Sequence, residues 1–134
     1  MSGNEQRRGA GEMLAGAGLA PLGKLAELNG AYEGAPLQAV HPFATVEAGP
    51  ETDWSHKSGT GREVRLTVTL RDHGERPARL RRLMAEAEAA IMAAGTATPG
   101  WRIVTLAFLR SRLLPDAERQ YAGVLDYRAR RLAE

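Results

Sequence analysis

The sequence predicts an α+β domain, a small antiparallel sheet of about four strands with helices packed on one face. Three stretches carry this prediction. Val64, Leu66, Val68 and Leu70 alternate with Arg65, Thr67, Thr69 and Arg71, the two-residue period of a half-buried strand. Leu80, Leu83, Met84, Ala87 and Ile91 recur at helical spacing, with Arg79, Arg82 and Glu86 turned outward. Beyond that helix, residues 101–112 and 121–131 alternate again on either side of a turn over residues 115–118, where Pro115 takes a favourable position. The order is helix, strand, strand, helix, strand, strand.

Taken from the start, residues 1–134 read as a single domain whose first 30 residues form a weakly defined, Gly-rich helical part. Residues 5–15 fit a short helix with Met13 and Leu14 on its apolar side. Pro21 stands at the first position of another, which carries Leu22, Leu25, Ala26 and Leu28 until Asn29 and Gly30 end it. Residues 31–41 read as loop, and residues 43–48 as a first strand between Pro42 and the pair Gly49 and Pro50. An extended polar loop over residues 50–61 follows. The alternating strand starts at Arg62 and is closed by Asp72, His73 and Gly74. Pro77 opens the long helix and Gly95 stops it. In residues 101–112, strict alternation puts Val104, Leu106 and Phe108 on one face with Arg102, Arg110 and Arg112. Trp101, Ile103, Thr105, Ala107 and Leu109 then occupy the other. This strand is apolar on both faces, and the helices can cover only one. In residues 121–131, Tyr121, Leu125 and Tyr127 oppose Asp126, Arg128 and Arg130.

The core is thin. Of 134 residues, 43% are hydrophobic, but Leu, Ile, Val and Phe together number only 26 while Ala numbers 23. The formal net charge of +2 argues against disorder, so a folded domain that leans on a partner subunit is the better reading. With no cysteine, disulfides, thiolate metal sites and Cys nucleophiles are excluded. Neither a leader's apolar stretch nor a run of about 20 apolar residues is visible, so a soluble chain is expected. Sixteen of the 18 basic residues are Arg, a bias that a GC-rich genome explains more simply than nucleic-acid binding. The distribution is more informative: residues 1–61 carry a net charge of −3 and residues 62–134 a net charge of +5. Such asymmetry can turn a subunit toward an acidic neighbour or toward DNA.

No constellation points to catalysis. Gly18 to Lys24 fits the spacing G-x-x-x-x-G-K, but Leu25 stands where a phosphate loop needs a hydroxyl on magnesium. Pro21 also removes one of the amides that would cradle phosphate. His41, His56 and His73 have no second ligand at helical spacing, so no metal is expected. Ser55, Ser58 and Ser111 lack a nucleophile elbow, and Glu86 and Glu88 stand two apart on a helix, facing different ways. No cofactor is expected. The arginines of the last two strands alternate with Tyr121 and Tyr127, which separates them onto opposite faces and argues against an RNA-stacking sheet.

Residues 53–68, from Asp53 and Trp54 through His56, Lys57 and the Gly59 and Gly61 pair to Val68, resemble the central segment of the tail completion family. Those are small proteins of long-tailed phages, prophages and phage-like gene transfer agents. Residues 101–112 and 123–130 are similar to that family's last two strands, and the similarity extends over residues 40–132. Where family members open with a longer, more apolar helix, residues 1–20 here are Gly-rich.

The resemblance implies a structural virion protein and no enzyme. A tail terminator would form a ring, six-fold in the family, at the head-proximal end of the tail tube, where it would stop tube polymerisation and join the tail to the neck. Its partners would be further copies of itself, the tube protein and a neck or stopper protein. Double-stranded DNA would pass through the lumen without sequence readout, no membrane would be involved, and assembly would take place in the bacterial cytoplasm. A head-closure or neck connector protein of the same particle is the alternative. The candidate interface residues are Trp54, His56, Lys57 and Arg62. Trp54 is a large aromatic in a polar loop, and the loop is expected to reach an adjacent subunit or the tube and to order there.

Overall fold

The computed structural model describes residues 10–57, 59–94 and 100–133. Its elements are α1 (Ala10–Leu22), β1 (Ala31–Glu33), β2 (Phe43–Asp53), β3 (Gly61–His73), α2 (Ala78–Ala94), β4 (Trp101–Ala117) and β5 (Gln120–Ala133). The strands form one sheet in the order β1-β2-β3-β5-β4, antiparallel throughout except that β1 runs parallel to β2. The expected α+β class holds, with five strands in place of about four.

Strand β3 is central because it is the most regularly patterned. Val64, Leu66, Val68 and Leu70 are fully buried beneath the helices, while Arg65, Thr67, Thr69 and Arg71 face the opposite side. Helix α2 answers with Leu80, Leu83, Met84, Ala87 and Ile91, all buried. Helix α1 adds Ala15 and Leu22, and from β5 come Leu125, Tyr127 and Ala129. Each Leu or Ile buried completely here contributes roughly 1.5–3 kcal/mol. Asp72, at the end of β3, is buried too and is held by Arg79 of α2 through two hydrogen bonds of 2.6 and 2.7 Å.

Four expectations change. Residues 31–41 are not all loop, since residues 31–33 pair with β2 as a strand too short to show a period. The N-terminal part holds one described helix in which Pro21 lies inside the last turn. The segment that follows makes only short turns, Leu25 N–H to Leu22 O and Leu28 N–H to Leu25 O, each 3.1 Å. Residues 5–9 of the expected first helix lie outside the described residues.

Strand β2 does not stop at Ala48. A bulge between Ala48 and Glu51 absorbs Gly49, at φ 133°, and Pro50, and pairing with β3 then resumes through Asp53. Proline has no amide to give a ladder, and a bulge is where a sheet tolerates it.

Strand β4 departs most from strict alternation. Bulges lie between Ile103 and Thr105, between Phe108 and Arg110 and between Pro115 and Ala117. Each adds a residue and shifts the phase by one. Ile103, Leu106 and Phe108 are therefore paired with Arg131, Ala129 and Tyr127 and share the helix-covered face. Arg102, Thr105, Ala107, Arg110 and Arg112 pair with the opposite face, and Val104 and Leu109 are left exposed at the bulges. The strand is thus less two-faced than simple alternation implied. It also continues to Ala117, so the turn falls at Glu118 and Arg119, with Arg119 at φ 57°.

Candidate assembly surface

The helices leave one sheet face open, and that face is built from arginine and carboxylate. Arg71 pairs with Asp116 at 2.7 Å, Arg110 with Asp126 at 2.9 Å and Arg130 with Glu63 at 3.0 Å. Thr67 donates its hydroxyl to Asp126 at 3.0 Å. Arg65, Arg102 and Arg112 have no ion pair among the described residues, so the face keeps a positive surplus. A depression of about 610 Å³ lies between the β2 bulge and β4, lined by Gly49, Pro50, Arg65, Thr67, Leu109, Arg110 and Asp126. Surface ion pairs of this kind contribute at most about 1 kcal/mol each. They fix side-chain orientation more than they stabilise the fold.

Arginines and tyrosines part as expected except at Arg131, which is fully buried on the helix side with Tyr127. Tyr127 is fully buried on the helix side, edge-on to Phe108 at 5.6 Å, while Arg128 and Arg130 lie on the open side. Burial, with the Glu88 charge adding to it, pushes the Tyr127 phenol well above its ordinary value.

Of the four predicted interface residues, Trp54, His56 and Lys57 sit at the β2–β3 hairpin tip and Arg62 at its base. Trp54 is half-buried, with its ring 4.4 Å from His56 in an edge contact and the Arg130 guanidinium 5.5 Å from its centre. His56 and Lys57 are exposed. Arg62 stands apart, bound to Glu51 at 3.3 Å and Asp53 at 3.2 Å. The loop expected over residues 50–61 narrows to the hairpin tip between Asp53 and Gly61 and has its own order. Trp54 donates its amide to Gly61 at 2.9 Å, and His56 and Gly59 exchange two backbone hydrogen bonds of 2.9 and 3.1 Å. The Ser55 hydroxyl donates to Asp53 at 2.6 Å and accepts the Gly61 amide at 3.0 Å. The Ser55 hydrogen bond is the main reason that the Asp53 carboxyl is held below its ordinary value, with Arg62 assisting. The loop expected to order on a neighbour therefore already has order within its own domain. Trp54 lies over its own sheet's Arg130.

The fold also joins His41 and His73, whose rings stack at 5.0 Å. They are far apart in sequence, and only the meeting of the loop before β2 with the end of β3 unites them. Beside them, the Asp72 carboxylate is committed to Arg79. Burial raises the Asp72 pKa, but hydrogen bonds from Arg79 and the His73 amide outweigh this and hold it below its ordinary value. Among the described residues no three His, Cys, Asp or Glu side chains gather as a metal site, and no helix is long and apolar enough to cross a membrane.

An uncovered apolar face on β4 was expected from the sequence, but the exposed aliphatic side chains of the β1–β2 loop were not. Leu37 and Val40 stand out from the loop between β1 and β2, at 104% and 69% exposure. Val104, Leu109 and Leu114 are exposed along β4. Only the strand order, which puts β1 and β4 at opposite edges, reveals that they form two separate groups.

Comparison with known proteins gives three findings. No curated protein sequence matches the chain. Among solved structures it is similar to a chain of a particle described as the virion of a native gene transfer agent, with 25% identity and a TM-score of 0.50. That match covers 97% of this chain and 91% of the other. Residues 17–131 match the family described as tail completion protein gp17. Strands β1 to β4, α2, the hairpin tip and β5 as far as Arg131 fall inside that match, which agrees with a part in the structure of a virion tail. The chain belongs to the tail completion family.

Proposed function

We propose that this chain is a tail terminator: copies close into a ring at the head-proximal end of a tail tube, stop its polymerisation and offer the neck a surface to dock on. The observation that carries this reading is the family match along residues 17–131. The physical features support it: a thin core, an open ion-paired face and aliphatic side chains left in water at both sheet edges. The family's description favours the terminator over the head-closure connector. The similar chain's place in a gene transfer agent virion favours a particle of that kind.

Six copies would suit the family, and the partners would be the tube protein, a neck or stopper protein and DNA in the lumen. The hairpin tip carrying Trp54, His56 and Lys57, with Arg62 at its base, would touch the tube or the next subunit. DNA phosphates passing the ring would meet a diffuse positive field and nothing that reaches base edges. Co-purification tests the choice of partner. The chain is expected to capture tube protein; capture of portal or adaptor with no tube binding would favour the connector and overturn the terminator.

A further inference from the structure

The two edges of the sheet differ in a way that composition alone does not reveal. Between Leu25 and Asp53, the stretch that forms the β1–β2 side, there are five carboxylates and no Lys or Arg. Between Trp101 and Leu114, most of the opposite edge strand, there are three arginines and no carboxylate. Some of these charges are already neutralised inside the domain. Glu27 pairs with Arg82, Glu51 and Asp53 pair with Arg62, and Arg110 pairs with Asp126. Glu33 and Glu47 on one side, and Arg102 and Arg112 on the other, have no ion partner among the described residues. Each edge also carries exposed aliphatic groups, Leu37 and Val40 on the acidic side and Val104, Leu109 and Leu114 on the basic side.

We infer that the β4 edge of one copy docks on the β1–β2 edge of the next, so that subunits associate head to tail. This rests on the ring reading above and deepens it by naming the surfaces that meet. The occupant is a second copy because the two edges complement each other in both sign and apolarity. A symmetric contact would set arginine against arginine, or carboxylate against carboxylate, and like charges held together cost stability. A heterologous contact repeats by rotation and closes into a ring when the angle allows. The β4 edge has no strand partner on its outer side among the described residues and carries three bulges, which limit indiscriminate strand pairing and leave side chains to select the partner.

Thiol cross-linking tests this directly, because the chain contains no cysteine. Leu37→Cys is combined in turn with Val104→Cys, Leu109→Cys and Leu114→Cys in the full chain, and a short bis-maleimide is added to the assembled protein. Three strands separate β1 from β4, about 19 Å at the usual strand spacing, so a Leu37→Cys and Leu109→Cys pair within one copy is out of reach. A head-to-tail contact gives a covalent ladder of oligomers from at least one double variant, while each single variant stays monomeric on a denaturing gel. Dimers from Leu109→Cys alone would reveal a symmetric contact and overturn the inference. So would the absence of any ladder from variants whose native mass is oligomeric. A chain that remains monomeric by native mass even with tube protein present would overturn both this inference and the ring reading.

Discussion

Two buried polar side chains have opposite status at the residue scale. The Asp72 carboxylate is satisfied by Arg79 and the His73 amide, and its pKa is depressed in the folded state. A depressed carboxyl contributes stability above its unfolded value and loses it as the pH falls through the folded one. The melting temperature should therefore decline below about pH 4, and Asp72→Asn should flatten that decline while costing roughly 1–3 kcal/mol at neutral pH. Melts recorded across pH 3 to 7 for both chains check this. The Tyr127 hydroxyl, in contrast, is buried without a hydrogen-bond partner among the described residues. Tyr127→Phe should leave stability unchanged or raise it by up to about 1 kcal/mol, whereas Tyr127→Ala should cost about 3–5 kcal/mol. Denaturant titration separates the two.

Close approach between α2 and β5 makes a prediction at the scale of elements. A Cβ on Gly123 would lie 2.5 Å from the Met84 sulfur, so the Met84 side chain must shift to admit one. Gly123→Ala should cost about 1–3 kcal/mol. Adding Met84→Ala should recover part of that loss, a coupling that a double-mutant cycle measures. Trp54→Ala at the hairpin tip removes a half-buried ring over Arg130 and should cost about 1 kcal/mol of monomer stability, while assembly on the tube is lost. Large destabilisation with normal assembly would make Trp54 a packing residue only. What could be read in advance follows the same scale. β3 and α2 were legible because each keeps one period along its whole length. β4 was misphased because a bulge changes the face of every later residue without any change in composition. β1 was invisible because three residues show no period. The hairpin extension was hidden by Gly49 and Pro50, which ordinarily end strands and here form a bulge within one.

Over the whole molecule, the sequence's charge asymmetry becomes a spatial one. The acidic first half supplies the β1–β2 edge and the basic second half the β4 edge at the other side of the sheet, and no reading along the chain could establish that without the strand order. The open arginine face should bind duplex DNA weakly and without sequence preference, with binding lost at moderate salt as counterions compete. A salt-resistant, sequence-selective footprint would contradict it. The central claim is that the chain closes a tail tube. Electron microscopy of tube protein polymerised with and without the chain measures this most directly. The account predicts that tubes stop elongating once the chain is added, each bearing a ring at one end and none along its length. Tubes that elongate equally in its presence, or single copies scattered along their walls, would contradict it.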